Sequence, residues 1–279
     1  MATNNHLKMN NILHHKFALH CVSILCAGTT ALLGQTFGPA PRDYHAMAYD
    51  SARGVTVLFG GTQGAPLGDT WEWDGANWVL RATIGPAPRN GHAMAYDSAR
   101  GRVVLFGGAA GSSDFGDTWE WNGASWTLRS SSGPKSRLWH AMAFDSARSR
   151  VVMFGGFHSP PGFGTPTVYG DTWEWNGTSW KRVSTSGPSP RYGHAVAYDS
   201  IGRQVVLFSG GNFRAAIPAD TWEWSGTVWT QGSITGPPQR YEHSMAYDSA
   251  RDRIVLFGGA NGWFLGDTWE WDGSIWMQK

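Results

Sequence analysis

Cysteine is scarce in this 279-residue chain, and its two copies, Cys21 and Cys26, both lie near the N-terminus. The chain from residue 35 onward therefore has no thiol, which excludes disulfide bonds and cysteine chemistry there. Charged residues make up only 15% of the chain and form no basic run, so the sequence offers no electrostatic basis for nucleic-acid binding. Phosphate-binding loops, nucleophile elbows, calcium loops and HExxH motifs are missing as well. We therefore expect no cofactor and no metal ion, and a binding protein rather than an enzyme.

Acidic residues are absent from residues 1–34, where two lysines precede the mostly apolar residues 17–33. A weakly basic start, an apolar core and small residues near its end are typical of a secretory signal peptide. We predict a leader over residues 1–34 and a protein that is secreted or periplasmic, or belongs to the cell envelope. A retained membrane anchor is the alternative, although residues 17–33 are few for a membrane span. After cleavage we expect no membrane span in the mature chain.

Glycine and tryptophan are abundant, with 37 and 17 copies, and much of the tryptophan lies in one recurring stretch. In its second copy, residues 118–121 read Thr-Trp-Glu-Trp, and this period of two predicts a β-strand. Asn122-Gly123 follows, and such a pair accepts the positive φ angles of a tight hairpin turn. The five copies of the strand are centred on Trp71, Trp119, Trp173, Trp222 and Trp269.

A histidine recurs together with this hairpin, at intervals of 47 to 54 residues. Its copies are His45, His92, His140, His194 and His243. A period near fifty residues predicts a propeller or another repeat array. In the second unit we predict strands at residues 92–96, 102–106 and 117–121, and a fourth that starts near Trp126. The predicted domain, residues 35–279, consists of units at about 38–84, 85–132, 133–186, 187–235 and 236–279.

Each unit also has a double glycine after an apolar strand, as in Gly107-Gly108, followed by the paired tryptophans. This pattern resembles the kelch repeat over residues 38–279. The resemblance implies an all-β fold, a kelch-type β-propeller of five four-stranded blades, which we expect to close into one ring. A fragment of a six- or seven-bladed propeller is the alternative. Galactose oxidase is a kelch-type enzyme whose copper site uses a tyrosine cross-linked to a cysteine, and the mature chain has no cysteine for such a site.

Several polar residues recur in every unit, which favours a structural role because catalytic sites are rarely fivefold. We expect the histidines to cap their own blades through hydrogen bonds rather than to bind a metal ion. The other sets are Arg42, Arg89, Arg137, Arg191 and Arg240; Glu72, Glu120, Glu174, Glu223 and Glu270; and Asp69, Asp117, Asp171, Asp220 and Asp267. Because an isolated buried carboxylate is costly, we predict that the arginines pair with the glutamates at blade junctions. The aspartates should connect the loop before the third strand to that strand.

The units differ mainly in the connections that enter the first strand and in those between the second and third strands. Strand order places both on one face of a propeller, whereas the turns on the opposite face are nearly identical. Aromatic residues in such loops indicate a binding surface. We predict ligand contacts, biased toward the third to fifth blades, at Tyr44, Trp139, Phe157, His158, Tyr192, Phe213, Tyr241 and Trp263.

The expected function is therefore that of a secreted, monomeric module that binds a protein or a glycan. One alternative is a carbohydrate-active hydrolase, lyase or epimerase that uses acidic residues on the loop face. In the loops between the second and third strands, however, Asp114 is the only acid outside the repeated aspartates. A purely structural domain of an envelope protein is the other alternative.

Overall fold

The computed structural model describes residues 38–160, 164–216 and 218–279, all of which belong to the compact unit Thr36–Lys279. The predicted leader lies outside the described residues. Five four-stranded antiparallel sheets form the five blades of a β-propeller, which confirms the predicted fold class. The described residues form strands, turns and loops, with no helix long and apolar enough to cross a lipid bilayer.

The four long strands of each blade pair in sequence order, and a short hairpin follows the second strand in blades 1 to 3. Blade 1 contains β1 (Ala46–Asp50), β2 (Val55–Phe59), β3 (Thr62–Gln63), β4 (Ala65–Pro66), β5 (Thr70–Trp73) and β6 (Trp78–Ala82). Blade 2 contains β7 (Ala93–Asp97), β8 (Arg102–Phe106), β9 (Ala109–Ala110), β10 (Ser113–Asp114), β11 (Thr118–Trp121) and β12 (Trp126–Ser130). Blade 3 contains β13 (Ala141–Asp145), β14 (Arg150–Phe154), β15 (Phe157–His158), β16 (Thr167–Val168), β17 (Thr172–Trp175) and β18 (Trp180–Ser184).

The last two blades have only their long strands among the described residues. Blade 4 contains β19 (Ala195–Asp199), β20 (Gln204–Phe208), β21 (Thr221–Trp224) and β22 (Trp229–Gln231). Blade 5 contains β23 (Ser244–Asp248), β24 (Arg253–Phe257), β25 (Thr268–Trp271) and β26 (Trp276–Gln278). In blade 2 the first and third strands begin one residue later than predicted, since His92 and Asp117 precede them. His92 follows Gly91, whose φ of 64° interrupts the extended backbone.

The hydrophobic core consists of four clusters, each between two consecutive blades. At the first junction, Val57 and Phe59 of blade 1 pack in one cluster with Leu105 and Trp121 of blade 2. The sheets of blades 2, 3 and 4 therefore bury both faces, one against the preceding blade and the other against the following blade. A single blade would expose both of these apolar faces, so the stability of each repeat depends on its neighbours.

Tryptophan side chains join consecutive blades by the same hydrogen bonds at successive junctions. The Trp126 indole donates to Thr70 Oγ1 of the preceding blade at 2.8 Å, and the Trp121 indole donates to Glu72 Oε1 at 3.0 Å. The bond to threonine recurs at the other three junctions, where the donors are Trp180, Trp229 and Trp276. In blades 2 to 4 both hairpin tryptophans donate to the preceding blade, whereas in blade 5 only Trp276 does.

None of these bonds is formed between the described residues of blade 5 and those of blade 1. We call the boundary between these two blades the open junction. Phe257 of blade 5 is 55% exposed, whereas its counterparts in the other blades are at most 1% exposed. On the free side of blade 1, Met47 and Tyr49 are 52% and 59% exposed. The expected closure into one ring through a fifth junction is therefore not observed. Closure depends on the angle between packed blades, and the repeat pattern does not encode that angle.

Candidate functional site

The connections that enter the first strands lie side by side, because those five strands contact one another in sequence. The residue before each repeated histidine has a positive φ angle: 54° at Tyr44, 64° at Gly91, 54° at Trp139, 62° at Gly193 and 58° at Glu242. From Gly91 onward, the backbone N–H at this position donates to the carbonyl oxygen of its counterpart in the preceding blade, over 2.7–3.0 Å. Four hydrogen bonds thus link the five connections that enter the first strands.

Three of these five positions carry a large side chain in a conformation that favours glycine. A left-handed backbone is uncommon for bulky residues and costs of the order of 1–3 kcal/mol. Gly91 and Gly193 meet the same backbone requirement without that cost, so the fold has no need of Tyr44 or Trp139. Strained residues of this kind are typical of functional sites, so the side chains of Tyr44, Trp139 and Glu242 are candidates for ligand contact.

Five aromatic rings from blades 1, 3 and 4 form one continuous cluster at these connections. We call this cluster the aromatic patch, and its members are Tyr44, Trp139, Phe157, Tyr192 and Phe213. The centroid of the Trp139 ring lies 5.8 Å from Tyr44, 5.0 Å from Phe157 and 5.7 Å from Tyr192. Phe213 extends the patch, at 5.7 Å from Tyr192. Tyr44 and Phe213 are 37% and 41% exposed, so both ends of the patch are accessible to solvent.

Backbone pairing explains why rings from different connections meet. In each blade an isolated antiparallel bridge joins the connection before the first strand to the loop after the second strand. In blade 3 the N–H of Leu138 and the carbonyl oxygen of Phe157 are 2.9 Å apart, which brings Phe157 beside Trp139. In blade 4 the equivalent bridge joins Tyr192 to Gly211, close to Phe213. The two variable connections of a blade therefore form one surface.

Acidic residues border the aromatic patch. Burial, with smaller contributions from the negative charges of Glu242 and Asp43, raises the pKa of Tyr44 to about 12. Burial by surrounding protein atoms also raises the pKa of Glu242, with a further contribution from Asp43. The pKa of Tyr192 is raised in the same way, mainly by burial. The surface thus combines aromatic rings with nearby negative charge, an arrangement that favours apolar and cationic ligand groups.

His158 is held at the boundary between blades 2 and 3. Its Nδ1 lies 2.7 Å from Asp114 Oδ2, and the same oxygen accepts the N–H of Ser159 at 2.9 Å. The Asp114 side chain is 4% exposed, whereas that of His158 is 30% exposed. A carboxylate that orients an imidazole can support proton transfer. Among the described residues, however, no second carboxylate is hydrogen-bonded to this pair.

Two of the predicted ligand-binding residues lie outside the aromatic patch. Tyr241 is near enough to raise the pKa of Tyr44, but it takes no part in the ring contacts that define the patch. Trp263 is 83% exposed and also takes no part in them. Glu242 is not among the predicted ligand-binding residues, although it precedes the repeated histidine as Tyr44 and Trp139 do. That shared place is the signal that would have identified it.

The repeated arginines pair with the repeated aspartates, so the predicted pairing with glutamates is wrong. Arg89 is fully buried and binds Asp117 through two hydrogen bonds, at 2.6 and 2.9 Å. Asp117 also accepts the indole N–H of Trp119 at 2.7 Å. Equivalent ion pairs join Arg42 to Asp69, Arg137 to Asp171, Arg191 to Asp220 and Arg240 to Asp267. Aspartate is the partner because it lies just before the third strand, level with the arginine, whereas Glu120 lies further along that strand.

The glutamates pair with a different arginine, which lies in the turn between the first and second strands. Glu120 Oε1 is 2.7 Å from Arg100 Nη1 and also accepts the indole N–H of Trp175 from the next blade at 3.1 Å. The same pairing joins Arg53 to Glu72, Arg148 to Glu174 and Arg251 to Glu270. In blade 4, Gly202 replaces the arginine, and Glu223 forms no ion pair with any described residue.

Glu120→Gln is expected to destabilise the fold by about 2 kcal/mol, because a buried ion pair loses one charge while Arg100 keeps partial access to solvent. Glu223→Gln should change stability by less than about 0.5 kcal/mol. Burial and the nearby Asp199 already raise the pKa of Glu223, so the charged form gains little there. Urea unfolding of both variants measures the difference, and equal losses would contradict this account.

The repeated histidines do not form the predicted hydrogen bonds. The His92 ring lies beside the backbone of Phe59 in the preceding blade, but neither ring nitrogen forms a hydrogen bond of good geometry. The ring packs edge-on against the Phe59 ring with centroids 5.4 Å apart. The ring nitrogens of His140, His194 and His243 form no such hydrogen bond either. Burial, together with the positive charge of Arg89, lowers the pKa of His92 to about 3. Within the described part of the chain, no group of three or more histidine or acidic side chains is placed to hold a metal ion.

Comparison with known proteins agrees with this architecture. A family model described as the KLHDC2/KLHL20/DRC7 Kelch-repeats domain matches residues 122–277, which is more than half of the chain. The match extends from the hairpin turn of blade 2 into the last strand of blade 5. No curated protein matches the chain. The matched sequence and the four-stranded blades together show that the chain belongs to the kelch-repeat family.

Proposed function

We propose that this protein is a protein-binding module and that the aromatic patch is its contact surface. The observation that carries the proposal is the meeting of five rings from three blades on the face formed by the variable connections. Two of these rings, Tyr44 and Trp139, occupy strained positions where glycine serves in other blades. Kelch domains in general mediate protein interactions, and the family match supports the same role here.

The chemistry of the patch suggests what the partner presents. Aromatic side chains at an interface supply most of the binding energy when they enclose an apolar group of the partner. Glu242 and Asp43 lie beside Tyr44, so a basic side chain next to that apolar group would be attracted. We therefore propose a protein segment that has an apolar anchor adjacent to a lysine or arginine. A segment with acidic neighbours should bind more weakly, because like charges would face each other.

A glycan is the second candidate ligand. The half-exposed rings of Tyr44 and Phe213 offer apolar faces on which a sugar ring can stack. An enzyme acting on carbohydrates is less well supported, because glycoside hydrolysis usually requires two carboxyl groups and His158 is paired with Asp114 alone. We also propose that the module is secreted. That proposal rests on the composition of residues 1–34 and is tested by sequencing the N-terminus of exported protein.

Trp139→Gly is the variant that tests the patch most directly. Glycine is the natural residue at the equivalent positions 91 and 193, so the change removes the central ring without backbone strain. We expect affinity for selected peptides to fall at least about 30-fold, as for an interface hot spot. The melting temperature should change by only a few degrees, since the strain relieved at this position offsets part of the lost packing. A displayed random peptide library and a glycan array identify ligands of the unmodified protein.

Trp263→Ala is the matched control, because Trp263 is exposed and lies outside the aromatic patch. It should leave binding of the same peptides unchanged. Loss of binding in Trp263→Ala with retention in Trp139→Gly would place the contact surface elsewhere. Selection of sugars rather than peptides, with the same dependence on Trp139, would favour the glycan.

A further inference from the structure

In four of the five blades, an arginine occupies the same position in the turn between the first and second strands. In blade 2, Arg100 Nε lies 2.7 Å from Asp97 Oδ2, and Arg100 Nη1 lies 2.7 Å from Glu120 Oε1. The guanidinium also covers the hairpin turn of the next blade, where a Cβ added to Gly177 would be 2.8 Å from Arg100 Cζ. The same position in blades 1, 3 and 5 holds Arg53, Arg148 and Arg251. One guanidinium thus joins an aspartate, a glutamate and the neighbouring turn.

Blade 4 keeps both carboxylates but lacks the guanidinium, because Gly202 occupies the place of the arginine. Glu223 Oε1 is buried and has no hydrogen-bond partner. Trp271, the counterpart of Trp175, is only 2% exposed, yet its indole N–H has no partner either. The hairpin turn at Gly273 has no heavy atom within 4 Å of the point where a Cβ would stand. The side chain of Gln204 hydrogen-bonds Glu223 and lies beside Gly202, but it does not replace the guanidinium, because Glu223 Oε1 and the Trp271 indole remain without partners.

The two turns that border this place are exposed to solvent. Ile201, next to Gly202 in the turn, is 71% exposed, and Gly202 and Gly273 are exposed as well. Asp199 accepts the backbone N–H groups of Ile201 and Gly202, each at 2.9 Å, so its other oxygen is not used by the turn. The turn that contains Gly202 lies on the face opposite the aromatic patch. The turns on that face have nearly identical sequences in the other blades. Blade 4 is the exception on that face.

We propose that the junction of blades 4 and 5 binds a guanidinium group from outside the chain, between Asp199, Glu223 and the turn at Gly273. The other blades show the arrangement that the ligand would adopt, with one nitrogen on the aspartate and another on the glutamate. Guanidinium is the chemical class because its planar fork matches two carboxylates, whereas an ammonium group makes only point contacts. The group is supplied either by a small guanidine or by an arginine side chain of a partner.

The test is a titration of the protein with methylguanidinium chloride, followed through the indole N–H resonance of Trp271. The resonance is assigned by its loss in Trp271→Phe. We expect a saturable shift in the unmodified protein and none with methylammonium chloride at the same ionic strength. In Gly202→Arg the chain supplies its own guanidinium, so the resonance should start near the bound position and remain there. Glu223→Gln should weaken binding about tenfold, because it removes a charged hydrogen-bond acceptor.

Two further measurements test the proposal, one with a variant that leaves the turn intact and one with an arginine peptide. If Gly202→Arg does not fold, Glu223→Gln alone provides the control, because it leaves the turn unchanged. A peptide of glycine and serine with one central arginine, compared with its lysine counterpart, distinguishes a partner side chain from a small guanidine. Tighter binding of the arginine peptide than of methylguanidinium indicates the partner. No shift with either probe, or an equal shift with methylammonium, overturns the proposal.

Discussion

Trp180→Ala is expected to lower the free energy of unfolding by about 3–5 kcal/mol. Trp180 is 9% exposed, packs against Phe106 of the preceding blade with ring centroids 5.3 Å apart, and donates to Thr118 Oγ1 at 2.8 Å. The substitution creates a cavity between two blades and leaves the hydroxyl of Thr118 buried without its donor. Equilibrium unfolding in urea measures the loss.

Trp78→Ala is the matched control, because Trp78 holds the same place in the repeat but faces the open junction. Its ring contacts Trp73 of its own blade at 5.6 Å, and none of the interblade bonds described above involves it. We expect a loss of only about 1 kcal/mol, as for a partly exposed aromatic side chain. Equal losses in the two variants would show that blade 5 closes on blade 1 in solution, contrary to the structure.

Acidification below pH 6.5 is expected to destabilise the protein steeply. In the folded state the pKa values of His92, His194 and His243 are lowered to about 3, mainly by burial and then by the adjacent repeat arginine. An unfolded histidine has a pKa of about 6.5. Between these values the unfolded chain binds more protons than the folded protein, so lowering the pH favours unfolding. Each histidine contributes a slope approaching about 1.4 kcal/mol per pH unit.

Between about pH 5 and pH 6.5 the histidines dominate this dependence, because unfolded carboxyl groups titrate mostly below that window. The raised pKa values of Glu223 and Glu242 act in the opposite direction. The unfolding free energy, measured in urea at several pH values, should fall throughout that window. Replacing His92 with glutamine should reduce the slope by about one proton, whereas His45→Gln should reduce it less. His45 lies at the open junction, where its pKa is lowered but its ring is only partly buried. A stability that is constant across the window would contradict the burial of neutral histidines.

The aromatic patch shows how far sequence reasoning can locate a site. Strand order predicts that Trp139, Tyr192 and Phe213 lie on one face, and in the structure their rings form one cluster. Trp263 belongs to the same kind of loop, yet it is 83% exposed and takes no part in the ring contacts of that cluster. Loop residues that are distant along the chain meet only if backbone bridges direct them toward each other. The sequence pattern predicts the loops, but it does not predict the bridges or the ring orientations.

The ion pairs show the same limit for charged residues. The sequence shows repeated sets of five arginines, five glutamates and five aspartates. It does not show which of these residues pair with each other. Arg89 binds Asp117 because the two lie level with each other at one end of the blade, while Glu120 lies nearer the opposite turn and binds Arg100. Position along a strand decides which charges meet, and spacing in the sequence reports this only indirectly.

The sequence by itself determined the strands, the hairpin turns and the five-bladed repeat, because alternation, Asn-Gly pairs and period are local properties of the chain. Only the tertiary structure decided which side chains meet across blades, and which junction stays open. Those contacts depend on the angle between packed sheets and on groups about fifty residues apart, such as Trp121 and Glu72. The unsatisfied junction at Gly202 illustrates both sources of information. Its altered turn is visible in the sequence, but the buried polar groups around it become apparent only when the neighbouring blade is in place.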